Sequence, residues 1–204
     1  MSIIKTLMTK PWEDQPGTVE ILQGGVVSMP PERIGLWTFL AVATSVFGLF
    51  VVAYNFRVEL DDWVSVPKPA VLWLNTVMLI LGSVALQWAR VASTEDNLKT
   101  VRVGLIAGGV FSLAFLVGQL VAWQQLTATG YFMTANPANS FFYLITALHG
   151  VHVLGGLWVW AKTSVKVLRG STIEDLSLSV ELCTVYWHYL LIVWAVLFGL
   201  LLST

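Results

Sequence analysis

Charge is what this sequence has least of. Asp, Glu, Lys and Arg make up 11% of its 204 residues, against about 25% in a soluble domain. A chain so poor in charge has too little polar surface to face water on all sides. Cysteine is nearly absent too. Cys183 stands alone, which excludes an intrachain disulfide, and its apolar surroundings read as those of a small buried hydrophobe. A formal net charge of −1 is near zero, so no nucleic-acid partner is expected. Nor do the first 33 residues read as a signal peptide: Glu13, Asp14, Glu20 and Glu32 interrupt them, and they hold no apolar core. Met1–Arg33 is therefore expected to be a cytoplasmic tail that becomes ordered in part when a partner holds it.

What the chain has in excess is apolar. Hydrophobic residues account for 56% of it, and the mean hydropathy is +0.75. They collect in five blocks, Ile34–Tyr54, Lys68–Arg90, Val103–Gln125, Ser140–Lys162 and Val180–Leu202, whose interiors carry no charge apart from Glu181. A helix needs about 20 such residues to cross a bilayer. The connections hold turn formers and polar residues, among them Asp61-Asp62, Pro67-Lys68-Pro69, Asn136-Pro137 and Gly170-Ser171. A transmembrane barrel would instead show shorter segments of alternating polarity. The expected fold is all-α: a polytopic bundle of five transmembrane helices over residues 34–204.

Loop charge sets the orientation. Lys5, Lys10, Arg33, Arg90, Lys99, Arg102, Lys162, Lys166 and Arg169 fall on one side, and only Arg57 and Lys68 on the other. Positive residues in short loops mark the cytoplasmic face, which predicts a cytoplasmic N-terminus and a C-terminus outside. Most of the ten tryptophans, including Trp37, Trp63, Trp73, Trp88, Trp123, Trp158 and Trp160, lie near block ends and read as interfacial anchors. Trp187 and Trp194 lie deeper and read as packing groups. Gly104, Gly108 and Ser112, and Ala114 with Gly118, form small-residue stripes that let helices approach closely in lipid.

The few polar groups inside the blocks carry the functional question. His149 and His152 share one face of the fourth block, and His188 lies on the fifth. A rise of about 1.5 Å per residue puts His152 about 15 Å and His188 about 12 Å from the cytoplasmic ends, so the two can meet across antiparallel helices. Asn75, Gln119 and Thr146 also need interhelical partners. Three intramembrane histidines invite a metal or haem reading. Against it, the blocks hold no carboxylate except Glu181 to orient the rings. Structural or lipid-headgroup contacts are the simpler reading. An ion-coupled transporter would carry charge within its spans and divide into repeats, neither of which is visible. A hydrolase needs a nucleophile beside a base, and Ser83 and Ser140 have none in sequence.

The fourth and fifth blocks resemble one family. Residues Ser140 to Val153 read SFFYLITALHGVHV, similar to the phenylalanine-rich entry and H-G-x-H-V core of subunit III of the haem–copper respiratory oxidases. Glu181 followed by Tyr186-Trp187-His188-Tyr189 and Val193-Trp194 is similar to that family's last helix. Gly35-Leu36-Trp37, Leu74-Asn75-Thr76 and Gly118-Gln119 are weaker matches in the same order. The resemblance implies an accessory, non-redox subunit of a cytochrome c or quinol oxidase in a bacterial-type plasma membrane. It implies packing against subunit I, with subunit II in the same complex, and haem and copper held by those partners rather than by this chain. It further implies bound structural phospholipids, support of proton uptake and protection of the catalytic subunit during turnover. Carried over to this chain, it assigns His149, His152, Glu181 and His188 to helix–helix and lipid-headgroup contacts, with Arg33 pairing a lipid phosphate. The chain departs from the family where carboxylates are usual, having Ala43, Ala122 and Leu191 instead. Those departures suggest a divergent branch, attached to a quinol oxidase, an unusual cytochrome c oxidase or a nitric oxide reductase. A transporter or a membrane scaffold outside respiration remains the alternative.

Overall fold

The computed structural model describes residues 30–95, 97–169 and 173–204. The reading of the first 29 residues as a tail, and the Gly170-Ser171 turn, lie outside the described residues. The chain divides into two units, Met1–Gly35 and Leu36–Thr204.

Five helices account for nearly all the described residues: α1 (Pro31–Val58), α2 (Val71–Thr94), α3 (Leu98–Ala128), α4 (Pro137–Arg169) and α5 (Ile173–Leu202). Each is long and apolar enough to cross a membrane, so the chain is a multi-pass membrane protein. No strand occurs among the described residues. The helices outrun the apolar blocks at most ends, because backbone hydrogen bonding continues into the interface after the hydrophobic run has stopped.

Local chemistry explains where they begin and end. Pro31 and Pro137 open α1 and α4, where a missing N–H costs nothing. Before α4, the Asn136 side chain accepts the Asn139 N–H at 3.0 Å, and before α3 the Asn97 side chain accepts from Thr100 at 3.2 Å. At the end of α3, Gly130 takes φ +90°. Its N–H bonds the Thr127 carbonyl at 3.1 Å, while the Tyr131 N–H reaches back to Leu126 at 2.9 Å. That paired closure needs a residue free to enter the left-handed region, which glycine is.

Within the unit 36–204, α2 and α3 lie closest, and the small-residue stripe explains why. A Cβ on Gly104 would stand 2.8 Å from both the Ala85 carbonyl oxygen and the Ala89 Cβ. One on Gly108 would stand 2.6 Å from Leu86. Helix α5 packs against α2, α3 and α4 and carries the largest buried side chains, Trp187 and Trp194, as their depth in the sequence suggests. Cys183 is fully buried, matching its reading as a small hydrophobe. Helix α1 behaves differently. From Leu36 onward no Cα of it comes within 8 Å of a Cα on another helix, and it buries only Leu40, Ala43, Phe47 and Tyr54. Large rings bridge the gap that small residues close between α2 and α3.

Candidate functional site: polar seams between the helices

The polar groups inside the bundle sort onto the faces of α5. Glu181, Thr184 and His188 fall three and four residues apart and so share the face toward α2. Across from them the order runs the other way, as antiparallel helices require. Glu181 Oε1 lies 3.5 Å from Arg90 Nη2 near the helix ends. One turn further in, Thr184 donates to the Leu86 carbonyl at 3.1 Å. Beyond it, Ser83 Oγ and His188 Nδ1 are 2.7 Å apart. Deeper still, Trp194 Nε1 donates to Thr76 at 2.9 Å. A groove of about 350 Å³ runs beside this seam, lined by Ser83, Gln87, Trp88, His188 and Leu191 among others.

The other seams pair further buried groups. Asn75 Nδ2 donates to Gln119 Oε1 at 3.3 Å between α2 and α3. Trp187 donates to Ser112 at 2.7 Å between α5 and α3. Thr146 accepts from Trp123 at 3.1 Å between α3 and α4, and Trp160 donates to the Leu105 carbonyl at 2.8 Å. Trp123 and Trp160 are thus helix-to-helix donors, not the interfacial anchors that their positions near block ends suggest. Trp37, Trp73, Trp88 and Trp158 are more than half exposed, as anchors would be.

The three histidines occupy three different settings. His149 is fully buried with no protein hydrogen bond to either ring nitrogen. Phe115 meets it nearly edge-on at 5.5 Å, and Trp194 and Phe47 lie 5.2 and 6.4 Å away. His152 is half-buried, with Nδ1 2.8 Å from its own helix at the Leu148 carbonyl and its ring 5.0 Å from Phe47. His188 joins neither. Equal depth does allow His152 and His188 to meet, but the residue on α5 that faces α4 is Tyr186, whose hydroxyl donates to the His152 carbonyl at 2.9 Å. Positions 186 and 188 are about 200° apart around a helix, so His188 turns to α2 instead.

Ser83, which shows no base near it in sequence, has one in space. The Ser83–His188 spacing is that of a nucleophile and its base, yet no third group orients the outer ring nitrogen among the described residues. Arg33 sits in the first turn of α1, its backbone N–H bonded to the Pro30 carbonyl at 2.9 Å, in the other unit from the histidines. At the positions that depart from the family, Ala43 and Ala122 are buried and Leu191 lines the α2–α5 groove. Sequence reasoning missed Thr184, Arg90 and Ser112 as partners. Reading polar positions on α2 and α5 in opposite directions at helical spacing would have paired the first two.

The family model for cytochrome c oxidase subunit III matches residues 63–202. The chain is 28% identical over 197 residues to a cytochrome c oxidase subunit 3 of Thermostichus vulcanus, covering 91% of this chain and 96% of that one. It is 26% identical over 201 residues to a heme-copper oxidase subunit I+III of Aeropyrum pernix, covering 92% of this chain and 24% of that longer one. A cytochrome bo(3) ubiquinol oxidase subunit 3 of Buchnera aphidicola is 23% identical over 177 residues, covering 84% and 86%. With its helices in the expected number and a family match over most of its length, the chain belongs to the cytochrome c oxidase subunit III family.

Proposed function

We propose that this chain is an accessory, non-redox subunit of a haem–copper terminal oxidase, packed beside catalytic subunit I in a bacterial-type plasma membrane with subunit II in the same complex. The observation that carries the reading is the family match over residues 63–202, supported by a relative in which subunits I and III form one chain. Haem and copper belong to the partners. The chain's polar groups act as ties between helices rather than as chemistry, in keeping with the pairing of Ser83, Arg90, Ser112 and Thr146 across seams.

The loop charges favour a cytoplasmic N-terminus and an external C-terminus. Arg90, Lys99, Arg102, Lys162, Lys166 and Arg169 then line the inner face, and support of proton uptake falls to the packing of the chain against the catalytic subunit. Structural phospholipids occupy the faces that the bundle leaves open. Arg33, His152, Glu181 and His188 contribute headgroup or interhelical contacts, and His149, closed in its ring cage, an interhelical one alone.

The test is the oxidase purified with and without this chain. Haem and copper per catalytic subunit should be equal in the two preparations, with similar initial rates and a shorter active lifetime during turnover when the chain is missing. Loss of a haem band with the chain would contradict a non-redox role.

A further inference from the structure

A second pocket lies between α3 and α4, away from every seam that involves the histidines. It measures about 210 Å³ and is lined by Arg102, Leu105, Ile106, Trp160, Ser164 and Val167. Its walls are apolar. Trp160 forms one of them, fixed by its hydrogen bond to the Leu105 carbonyl and by Gly109, where any side chain would strike its ring. Two polar features interrupt this lining, and neither is used within the protein. Ser164 Oγ is shut off from solvent and has no hydrogen-bond partner, not even on its own helix, where a serine usually finds one. Arg102 is exposed and has no ion pair or hydrogen bond among the described residues.

The neighbouring cations are engaged differently. Lys162 lies over the Trp158 ring at 5.2 Å, and Lys166 donates to Ser179 at 3.2 Å. Arg102 is the basic residue that lines this apolar pocket, at the charged end of a membrane bundle. Basic pockets between transmembrane helices at that level suit anionic headgroups. A phosphodiester also accepts the parallel N–H pair that a guanidinium offers.

We propose that this pocket holds one acyl chain of an anionic phospholipid, with its phosphate on Arg102. A zwitterionic lipid brings its own cation to the same place and loses the net attraction. The site adds a defined position to the lipid-holding part of the function proposed above, yet it belongs to the chain itself, so failure of the oxidase assignment leaves it standing.

Trp160 provides the probe. The full chain is reconstituted in nanodiscs containing a small fraction of phosphatidylglycerol or phosphatidylcholine brominated on its acyl chains. The Trp160 contribution to fluorescence quenching is isolated by difference from Trp160→Phe. Brominated phosphatidylglycerol should quench it at about one-fifth of the concentration that phosphatidylcholine requires, the preference that one surface cation confers. Arg102→Gln should abolish the preference, Arg102→Lys should keep most of it, and Lys162→Gln should leave it unchanged. Equal quenching by both lipids in the unaltered chain would overturn the proposal in favour of a neutral filler. Absence of quenching by either would mean that a protein segment occupies the pocket. An equal loss in Lys162→Gln and Arg102→Gln would reduce the effect to the general field of the basic end.

Discussion

His149 and His188 respond to substitution in opposite ways. The cage around His149 offers rings and no hydrogen-bond partner, so His149→Phe should be tolerated. His149→Ala should cost about 3 kcal/mol through the cavity it leaves, measured by thermal unfolding in detergent. For Ser83 and His188, a double-mutant cycle to alanine should return a coupling of about 0.6 kcal/mol, the average for hydrogen bonds between transmembrane helices. Outside the membrane, Asp62 is bound by Arg57, and that hydrogen bond is the first cause holding its carboxyl below the usual 3.8. A lowered carboxyl contributes its stability above the unfolded pKa and loses it as pH falls through the folded one. Asp62 is exposed, so the contribution is small, but the titration is measurable. The Asp62 carboxyl carbon should titrate below ordinary aspartates by NMR and return to their range in Arg57→Gln. That Asn75, Gln119 and Thr146 need partners is legible in the sequence, because lipid offers none. Which partners they take depends on the rotation of each helix about its axis, and this is why His152 and His188 are paired by depth and separated by rotation.

The spans themselves follow from bilayer thickness and were readable to within two turns at every end. The small-residue stripe on α3 was readable too, though not the helix that it serves. The structure assigns it to α2, through Ala85, Leu86 and Ala89. Gly104→Ala should therefore push the pair apart and cost about 1–3 kcal/mol, since backbone and Cβ atoms stand in the way and neither can rotate aside. Gly155→Ala is the control: nothing lies within 4 Å of its Cβ, and alanine is the better helix former. It should leave the unfolding temperature unchanged or raise it. The tryptophans mark where this kind of reading stops. Nearness to a block end does not separate Trp158, exposed at 67%, from Trp160, which is tied to α3, because two residues along a helix reverse the face.

In the molecule as a whole, exposed apolar side chains run along the bundle, among them Val42, Leu49, Val52 and Phe56 on α1. From Leu36 onward α1 is held by its rings and by a few hydrogen bonds such as Thr44 to Tyr189, and the apolar residues it turns outward are left for a neighbouring subunit or lipid to cover. The scarcity of charge points to the membrane class and the five apolar blocks to the number of helices, while the H-G-x-H-V and Y-W-H segments point to the family. Function was less legible, since the pairing of polar groups across the helices depends on helix rotation, which the sequence does not display. The measurement that tests the central claim most directly is purification of the tagged chain in mild detergent, followed by reduced-minus-oxidised and CO-difference spectra of the eluate. Haem bands arriving with a larger polytopic partner are the predicted result. A colourless chain recovered alone, under conditions that keep other respiratory complexes intact, would contradict it.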